Sequence, residues 1–352
     1  MGDILHALPA VTALRLAHPE WTIDWVVEPQ WRPLLAAGHE NGAGEPRSPQ
    51  RPLVDRIYLA PTKAWGRSPL SGKTIAGIRA LRVALRAGQY DTVLDLQGAV
   101  RSAVVGRLAG CRRLVGEVEP RERAARLLFS ERVPTRGAHV IEQDLELASA
   151  VAGDALAPVA PWLPVDAAAE AWCDELLGQP GRERAGAHAQ PVVLINPGAG
   201  WGAKRWPAKR YGTVALGLAE RGLRVLVNAG PGEEALIDGI VRAAGSAVTP
   251  LACTLYQLIA LTRRVALAIA GDTGPLHLAC ALGRPVVGIY GPTDPSRNGP
   301  FGTRFKVLRS PQSRRDHARR AEPEAGLLTI TPEDVIEAAG ALLKEVDEET
   351  AG

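Results

Sequence analysis

Long apolar runs are missing from this sequence of 352 residues. A helix that spans a bilayer needs about 20 consecutive apolar residues, and no stretch of the chain approaches that length. The start of the sequence also lacks the basic segment and the apolar core of a secretory signal. These two absences predict a protein that stays in the cytoplasm and does not span a membrane.

Cysteine is scarce as well, and the four residues lie far apart in the sequence, at Cys111, Cys173, Cys253 and Cys280. None of them forms a CxxC pair, which argues against a cysteine zinc site and against a disulfide framework. We therefore expect small buried side chains at these positions and no bound metal.

The excess of positive over negative charge is small, with a formal net charge of +3. So weak an excess argues against a nucleic-acid-binding protein. The run RRDHARR, from Arg314 to Arg320, is a local exception. Two interpretations of it stay open: a solvated loop, or a peripheral contact with the anionic surface of the inner membrane.

What the chain does contain is an alternation of short apolar runs with helix-like stretches along its whole length. This pattern is typical of parallel sheets covered by helices and predicts an α/β fold, while the length favours two domains. In the first half, strands are predicted at residues 22–27, 91–96 and 112–115, and helices at residues 4–17, 74–87, 99–109 and 140–151. In the second half, strands are predicted at residues 192–196, 224–228, 265–270 and 285–290.

A proline-rich and then glycine-rich stretch interrupts the alternation and predicts a linker at residues 161–190 that includes a helix at 167–177. The linker would separate a domain at residues 1–160 from a second domain at 191–330. A C-terminal segment at 331–352 follows, with a helix that Thr331 caps. The chain opens on a helix where a doubly wound domain has a strand, so its first strand is expected to be missing.

The sequence AIAGDTGPLH, from Ala268 to His277, predicts a strand that runs into a tight turn at the start of a helix. Free backbone N–H groups and the helix dipole make such a start suitable for an anion, here a diphosphate. Thr273 would supply a hydroxyl, and Gly274 would allow close approach of the backbone. Asp272 as a simple N-cap and His277 as an ordinary helix residue remain the alternative.

A second candidate segment is NPGAGWGAKRWP, from Asn196 to Pro207, directly after a buried-looking strand. Its three glycines leave the backbone open around Lys204, whose charge suits a phosphate. A structural loop with an exposed lysine is the alternative. GPGEE, from Gly230 to Glu234, is a third segment, in which Glu233 either accepts hydrogen bonds from a ribose or simply suits a first helical turn.

Asp3 and His6 lie three residues apart at the start of the first helix and therefore share one face of it. A carboxylate at such a position can take a proton from a hydroxyl nucleophile, which makes Asp3 a candidate general base. The other interpretation of Asp3 is that of a helix N-cap.

Five segments together resemble one family, glycosyltransferase family nine, typified by the ADP-heptose:lipopolysaccharide heptosyltransferases. They are GDILHALPA, WVVEPQW, VLDLQGAVRSA, the glycine-rich turn that ends in KRWP, and GDTGPLHLACALGRPVVGIYGPTDP. The resemblance spans nearly the whole chain. It implies a GT-B architecture of two facing Rossmann-like domains, with the acceptor in the first and the nucleotide sugar in the second. It also implies inverting chemistry without a metal or a further cofactor.

Carried over residue by residue, the resemblance implies that Asp3 is the base and that Lys204 contacts phosphate. The donor, ADP-heptose by this resemblance, would also be held by Asp272, Thr273, Gly274, His277, Ala199, Gly200 and Glu233. An anionic acceptor such as Kdo-lipid A or a core glycan would be held by His6, Lys63, Arg67, Gln97 and Arg121. A solvated surface loop is the alternative for Lys63, Arg67 and Arg121. Ala199 and Gly200 stand where some members have threonines, and Pro231 stands where an acidic residue is expected, two places before Glu233.

Two other functions remain open at this point. One is a nucleotide-sugar epimerase or hydrolase, since the same fold carries those activities too. The other is a chain that binds nucleotide without turnover, inactivated by truncation of its first strand. Dependence of turnover on an acceptor distinguishes the transferase from both.

Overall fold

The computed structural model describes residues 1–38, 45–178, 190–315 and 320–351, with side chains up to residue 345. The chain divides into two compact units. The first comprises Met1 and Asp3–Val165, and the second comprises Gly2 and Asp166–Gly352. No helix in the described ranges combines the length and the apolar character that crossing a membrane requires.

The first unit alternates helices with short parallel strands. Its elements are α1 (Gly2–Ala17), β1 (Asp24–Val27), β2 (Arg56–Leu59), α2 (Thr62–Arg67), α3 (Gly72–Ala87), β3 (Thr92–Leu94), α4 (Val100–Leu108), β4 (Arg113–Glu117), β5 (Glu131–Val133) and α5 (Val140–Ala152). Strands β1 and β2 form one parallel pair, and β3, β4 and β5 form a second parallel sheet in that order. Within the described residues no strand precedes α1.

One apolar cluster connects the two sheets of this unit. Leu81 and Leu85 on α3 are buried beside Tyr58 of β2, and Val26 of β1 and Val93 of β3 pack against the same cluster. Ser71 is the N-cap residue of α3, and its hydroxyl accepts a hydrogen bond from the N–H of Thr74. Since only one side of α3 carries buried leucines, its other side faces solvent.

The second unit is built on one six-stranded parallel sheet. Its elements are α6 (Ala167–Leu177), β6 (Val192–Asn196), α7 (Ala208–Ala219), β7 (Arg224–Asn228), α8 (Glu234–Ala244), β8 (Val248–Leu251), α9 (Leu255–Thr262), β9 (Leu267–Gly271), α10 (Gly274–Ala281), β10 (Val286–Tyr290), α11 (Pro295–Asn298), β11 (Phe305–Arg309) and α12 (Pro332–Ala351). The strand order is β11-β10-β9-β6-β7-β8.

The order of the strands places a crevice between β6 and β9. The chain runs from β6 to β7 on one side and later returns to β9 on the other, so the winding reverses there. Open α/β sheets bind ligands beyond the carboxyl ends of strands at such a switch point. Strands β9 and β10 are buried throughout, as strands covered by helices on both faces must be. The loops that follow β6 and β9 are therefore positioned to form a site.

The α/β class with parallel sheets predicted from the sequence is confirmed. Strands β6 and β7 and helix α6 have the predicted bounds, and the predicted cap of α12 forms in both directions. The N–H of Thr331 donates to the Asp334 carboxylate at 2.8 Å, and the N–H of Asp334 donates to the Thr331 hydroxyl at 3.2 Å. The sequence analysis missed β2, β5, β8 and β11.

Two further expectations need correction or lie outside the described residues. Cys173 and Cys280 are buried as expected, but Cys111 and Cys253 are partly exposed, and all four are free thiols. Residues 179–189 of the predicted linker lie outside the described ranges, as do residues 316–319 of the basic run.

Candidate functional site

The loops after β6 and β9 bring together a lysine, an aspartate and a histidine. The Lys204 ammonium donates to the Asp272 carboxylate in a short contact and also lies 3.3 Å from the Asp272 carbonyl oxygen. Nε2 of His277 lies 3.3 Å from the other carboxylate oxygen of Asp272. Thr273, and not Asp272, is the N-cap residue of α10, so the interpretation of Asp272 as a simple N-cap is wrong.

Burial makes this cluster electrostatically strong. The side chains of Lys204 and Asp272 are only 10% and 8% exposed. Burial alone would raise the pKa of Asp272, but the hydrogen bond from His277 and the charge of Lys204 outweigh it and hold that pKa well below its usual 3.8. Asp272 is therefore an anion near neutral pH, and it fixes Lys204 at the switch point. The Trp201 ring, centred 4.2 Å from the ammonium, covers Lys204 from another side.

The turn that carries Lys204 requires glycine at position 202. A Cβ atom on Gly202 would lie 1.6 Å from the carbonyl oxygen of Ala321. The N–H of Ala203 donates to the carbonyl of Arg320 at 3.0 Å, and the N–H of Glu324 donates to the carbonyl of Ala203 at 3.1 Å. We call residues 201–205 the Lys204 turn. The segment at the end of the basic run thus packs directly on this turn.

Helix α10 starts beside this cluster, at Gly274. The Thr273 hydroxyl lies 3.2 Å from the carbonyl oxygen of Gly271, so it does not cap its own helix. The start of a helix carries the positive end of its dipole. In α10 the N–H of Gly274 lies at this end, whereas Pro275 has no N–H and the Leu276 N–H donates to the Thr273 carbonyl at 3.1 Å. Together with Lys204, the Gly274 N–H and the helix dipole form an arrangement suited to a phosphate group.

Glu233 lies where the loops after β6 and β7 meet. Its carboxylate accepts a hydrogen bond from the N–H of Gly230 at 2.8 Å. A Cβ atom on Gly198 would come within 2.2 Å of that carboxylate, so the two loops touch here. Ala199 and Gly200 belong to the same loop, next to Trp201. The position of Glu233 is compatible with either interpretation from the sequence, since it can both organise the turn and face a ligand.

Two buried asparagines that the sequence analysis missed hold these loops in register. The Asn228 amide donates to the Asn196 side-chain oxygen at 3.0 Å and accepts from the N–H of Cys253 at 3.0 Å. Both asparagines end a strand directly after three buried apolar residues, in VVLIN and RVLVN. A polar residue repeated at that position is the signal that could have identified them.

In the first unit, Asp3 forms a cluster with Gln97 and Arg121. Gln97 Nε2 lies 3.0 Å from Asp3 Oδ2, and the Arg121 guanidinium lies 3.4 Å from the same oxygen. Within the described residues, Asp3 Oδ1 accepts no hydrogen bond, and the side chain is about half exposed. Asp3 lies inside the first turn of α1, whose N-cap residue is Met1, so the N-cap interpretation of Asp3 is wrong.

Asp95 positions Gln97, and the sequence analysis did not single it out. Its buried carboxylate accepts hydrogen bonds from the N–H groups of Gln97 and Gly98, both at 2.9 Å, and from the Ser102 hydroxyl. Burial raises the pKa of Asp95, although these bonds oppose the shift. Asp95 lies directly after an apolar strand, in VLDLQG, and this position is the feature of the sequence that could have identified it.

The remaining predicted acceptor residues are His6, Lys63 and Arg67. His6 is buried and packs edge-on against His139, with ring centroids 5.8 Å apart. Lys63 and Arg67 are exposed on α2, and the Glu28 carboxylate accepts a hydrogen bond from the Lys63 N–H at 2.8 Å at the start of that helix. In the described ranges, no three His, Cys, Asp or Glu side chains come together as a metal site requires.

Comparison with known proteins gives consistent matches. The family model described as glycosyltransferase family 9 (heptosyltransferase) matches residues 78–327. Lipopolysaccharide heptosyltransferase 1 of Escherichia coli K12 is 28% identical over 323 residues, which cover 89% of this chain and 91% of that protein. The protein of the same name from Pseudomonas aeruginosa is 27% identical over 311 residues, covering 86% and 79%.

Solved structures agree with the sequence matches. The E. coli heptosyltransferase WaaC with ADP has a TM-score of 0.75 at 25% identity and covers 97% of both chains. A family 9 glycosyl transferase from Veillonella parvula has a TM-score of 0.78 at 21% identity, covering 98% of this chain and 95% of that one. The latter similarity shows the fold.

The ion pair predicts how stability depends on pH. We expect Asp272→Asn to lower the free energy of unfolding by about 3 kcal/mol near neutral pH, because Lys204 then stays buried without its counter-charge. Since the pKa of Asp272 is depressed, this stabilisation is present above its usual 3.8 and is lost as pH falls through the lower folded value. Urea unfolding across pH measures it, with exposed Glu337→Gln as the control. A difference that stays constant into strong acid would contradict the assignment.

The Lys204 turn allows a test with two neighbouring glycines. Gly202→Ala is expected to destabilise the protein by about 2 kcal/mol or more, because the new methyl group collides with the backbone at Ala321. Gly200→Ala is the matched control, since the space in front of Gly200 is open, and it is expected to cost less than about 0.5 kcal/mol. Urea unfolding measures both. Equal losses would show that the Lys204 turn does not pack as described.

Proposed function

Because the chain belongs to glycosyltransferase family 9, the heptosyltransferase family, and is therefore a glycosyltransferase, we propose that it transfers heptose from ADP-heptose to the inner core of lipopolysaccharide. The names of its relatives and the ADP bound to one of them support this donor and acceptor class. The acceptor is Kdo-lipid A or a similar anionic core glycan. The reaction takes place in the cytoplasm, at the membrane face where such an acceptor is exposed.

The observation that carries the proposal is the buried Lys204–Asp272 pair beside the start of α10, at the switch point of a parallel sheet. Lys204 and the N–H of Gly274, at the positive end of the α10 dipole, stabilise the charge that develops on the diphosphate as it leaves. His277 and Thr273 complete this donor turn around Gly274. Glu233 accepts hydrogen bonds from the ribose, and the backbone at Ala199 and Gly200 contacts the phosphates.

Asp3 supplies the base. Its free Oδ1 takes the proton of the acceptor hydroxyl as the hydroxyl oxygen bonds to the anomeric carbon, and the bond from that carbon to the diphosphate oxygen breaks. ADP leaves, and the configuration at the anomeric carbon is inverted because a single displacement occurs. Gln97 and Arg121 hold Asp3 through Oδ2, which keeps the other oxygen available. The reaction needs no metal and no further cofactor.

The two halves of the chain divide the substrates between them. Residues 1–160 bind the acceptor, residues 161–190 link the halves, residues 191–330 bind the nucleotide sugar, and residues 331–352 close the second half. Lys63 and Arg67 on α2, with Arg121, hold the carboxylates or phosphates of the acceptor, since guanidinium groups bind such anions in a bidentate manner. His6 and Gln97 line the same acceptor region.

Release of ADP from ADP-heptose, with and without Kdo-lipid A, tests the reaction. The wild-type chain is expected to release ADP only when the acceptor is present, and Asp3→Asn is expected to reduce kcat by about 100-fold to 10,000-fold. Asp154→Asn, an exposed aspartate in a loop, is the control and should retain full activity. Release of ADP without an acceptor would instead indicate a hydrolase.

The proposed role of Lys204 can be tested with Lys209, five residues later, as the matched control. Lys204→Met is expected to reduce kcat by about 100-fold or more, because the leaving diphosphate loses its buried positive charge. Lys209→Met, on the exposed side of α7, should change kcat little. Steady-state kinetics and ADP affinity from calorimetry measure both variants. Unchanged kcat in a folded Lys204→Met protein would exclude this role for Lys204.

A further inference from the structure

The segment that contains α2 and α3 is strongly basic. From Thr62 to Tyr90 it contains no aspartate or glutamate. Its cations are Lys63, Arg67, Lys73, Arg79, Arg82 and Arg86. The whole chain has a net charge of only +3, so positive charge is concentrated here.

The exposed face of α3 combines cations with apolar side chains. Arg82 and Val83 lie three and four residues after Arg79, and Arg86 lies four and three residues after them, so all four residues lie on one face. All four are exposed, and Val83 is 71% exposed. Leu70, in the turn just before α3, is 88% exposed. We call Leu70 together with these four residues the α3 face.

The cations of the α3 face have no anionic partner within the described part of the chain. No hydrogen bond or ion pair involves the side chains of Arg79, Arg82 or Arg86 there. Two half-buried arginines elsewhere are paired: Arg113 with Glu131, and Arg264 with Glu170 and Asp174. The α3 face is thus a region of uncompensated positive charge with large apolar side chains beside it.

We propose that the α3 face docks the first unit on an anionic lipid bilayer. The three arginines contact lipid phosphates, and Leu70 and Val83 enter the boundary between headgroups and acyl chains, as in helices that lie on membrane surfaces. The opposite side of α3 carries Leu81 and Leu85 into the core, which keeps the helix fixed on the protein. This inference rests on the proposed function in that the acceptor is a glycolipid.

The α3 face lies close in sequence to the residues that are proposed to bind the glycolipid acceptor. Arg67, the last residue of α2, is followed after a turn of four residues by the first residue of α3. A surface that holds α3 against a bilayer therefore keeps Lys63 and Arg67 near the headgroups, where the sugar of a glycolipid lies. The basic run from Arg314 to Arg320 is the other basic candidate, but the Arg320 carbonyl is bonded to the Lys204 turn.

Flotation with vesicles tests the docking directly. The wild-type chain should bind vesicles of phosphatidylcholine with phosphatidylglycerol and not vesicles of phosphatidylcholine alone. Since each arginine near an anionic surface contributes about fivefold, Arg79→Gln/Arg82→Gln should weaken binding about 30-fold. Leu70→Ser should weaken it about tenfold. Lys209→Gln/Arg242→Gln, which removes the same charge from exposed helices of the second unit, is the control.

Equal loss of binding in the control pair would overturn the proposal, since it would show that only net charge matters. Full binding by a folded Arg79→Gln/Arg82→Gln protein would overturn it too. Binding that is lost only in a variant with Arg314 and Arg315 replaced by Gln would place the contact at the basic run instead. Urea unfolding shows whether each variant is folded.

Activity measurements separate this proposal from the assignment of the reaction. Arg79→Gln/Arg82→Gln should keep its ADP release with a detergent-solubilised acceptor and lose most of it with the same acceptor in phosphatidylglycerol vesicles. An equal loss in both assays would contradict docking by α3. Vesicle binding needs neither donor nor turnover, so it tests the α3 face even if the proposed reaction proves wrong.

Discussion

The Lys204–Asp272 ion pair is the interaction on which the second unit's site depends, and the sheet makes it possible. β6 and β9 are hydrogen-bonded neighbours in register, with Asn196 opposite Ala270. The loops that follow them must therefore start side by side, even though 68 residues separate Lys204 from Asp272 in sequence. Burial would make either charge costly alone, and pairing removes most of that cost. The pair is thus a local consequence of strand order, and it holds a lysine in a place where a free lysine would turn to solvent.

A carboxylate after a buried strand organises the first unit in a related way. Asp95 follows β3, as Asp272 follows β9, but it binds backbone N–H groups and a hydroxyl where Asp272 binds charged side chains. The result is a fixed loop that presents the Gln97 amide to Asp3. An Asp3 carboxylate held through one oxygen keeps a defined orientation while it remains about half exposed. The two carboxylates therefore differ in environment: Asp95 is buried and fixes a loop, and Asp3 is about half exposed to solvent.

The sequence predicted best the elements whose signal is local. Uninterrupted apolar runs such as VVLIN identified β6 and β7 to the residue, and short polar strands such as ERV at β5 were missed because charged side chains hide the pattern. Site residues behave similarly: Lys204 and Asp272 stand in glycine-rich turns that point to a ligand, whereas the partners of Asp3 lie 94 and 118 residues away. Nor does any local pattern reveal that Gly202 must be glycine, because the atom that excludes a side chain belongs to Ala321.

The small net charge of +3 does not show that positive charge is unevenly distributed along the chain. In the second unit, Lys204 is buried and paired with Asp272, so its charge acts at short range. In the segment of α2 and α3 the cations are exposed and unpaired within the described residues, so their field extends into solvent over about 10 Å at ordinary ionic strength. A field of that range attracts extended anionic surfaces and anionic glycolipids alike. For the proposed reaction, salt should therefore affect the association of a membrane-bound acceptor and not the proposed transfer of the acceptor proton to Asp3.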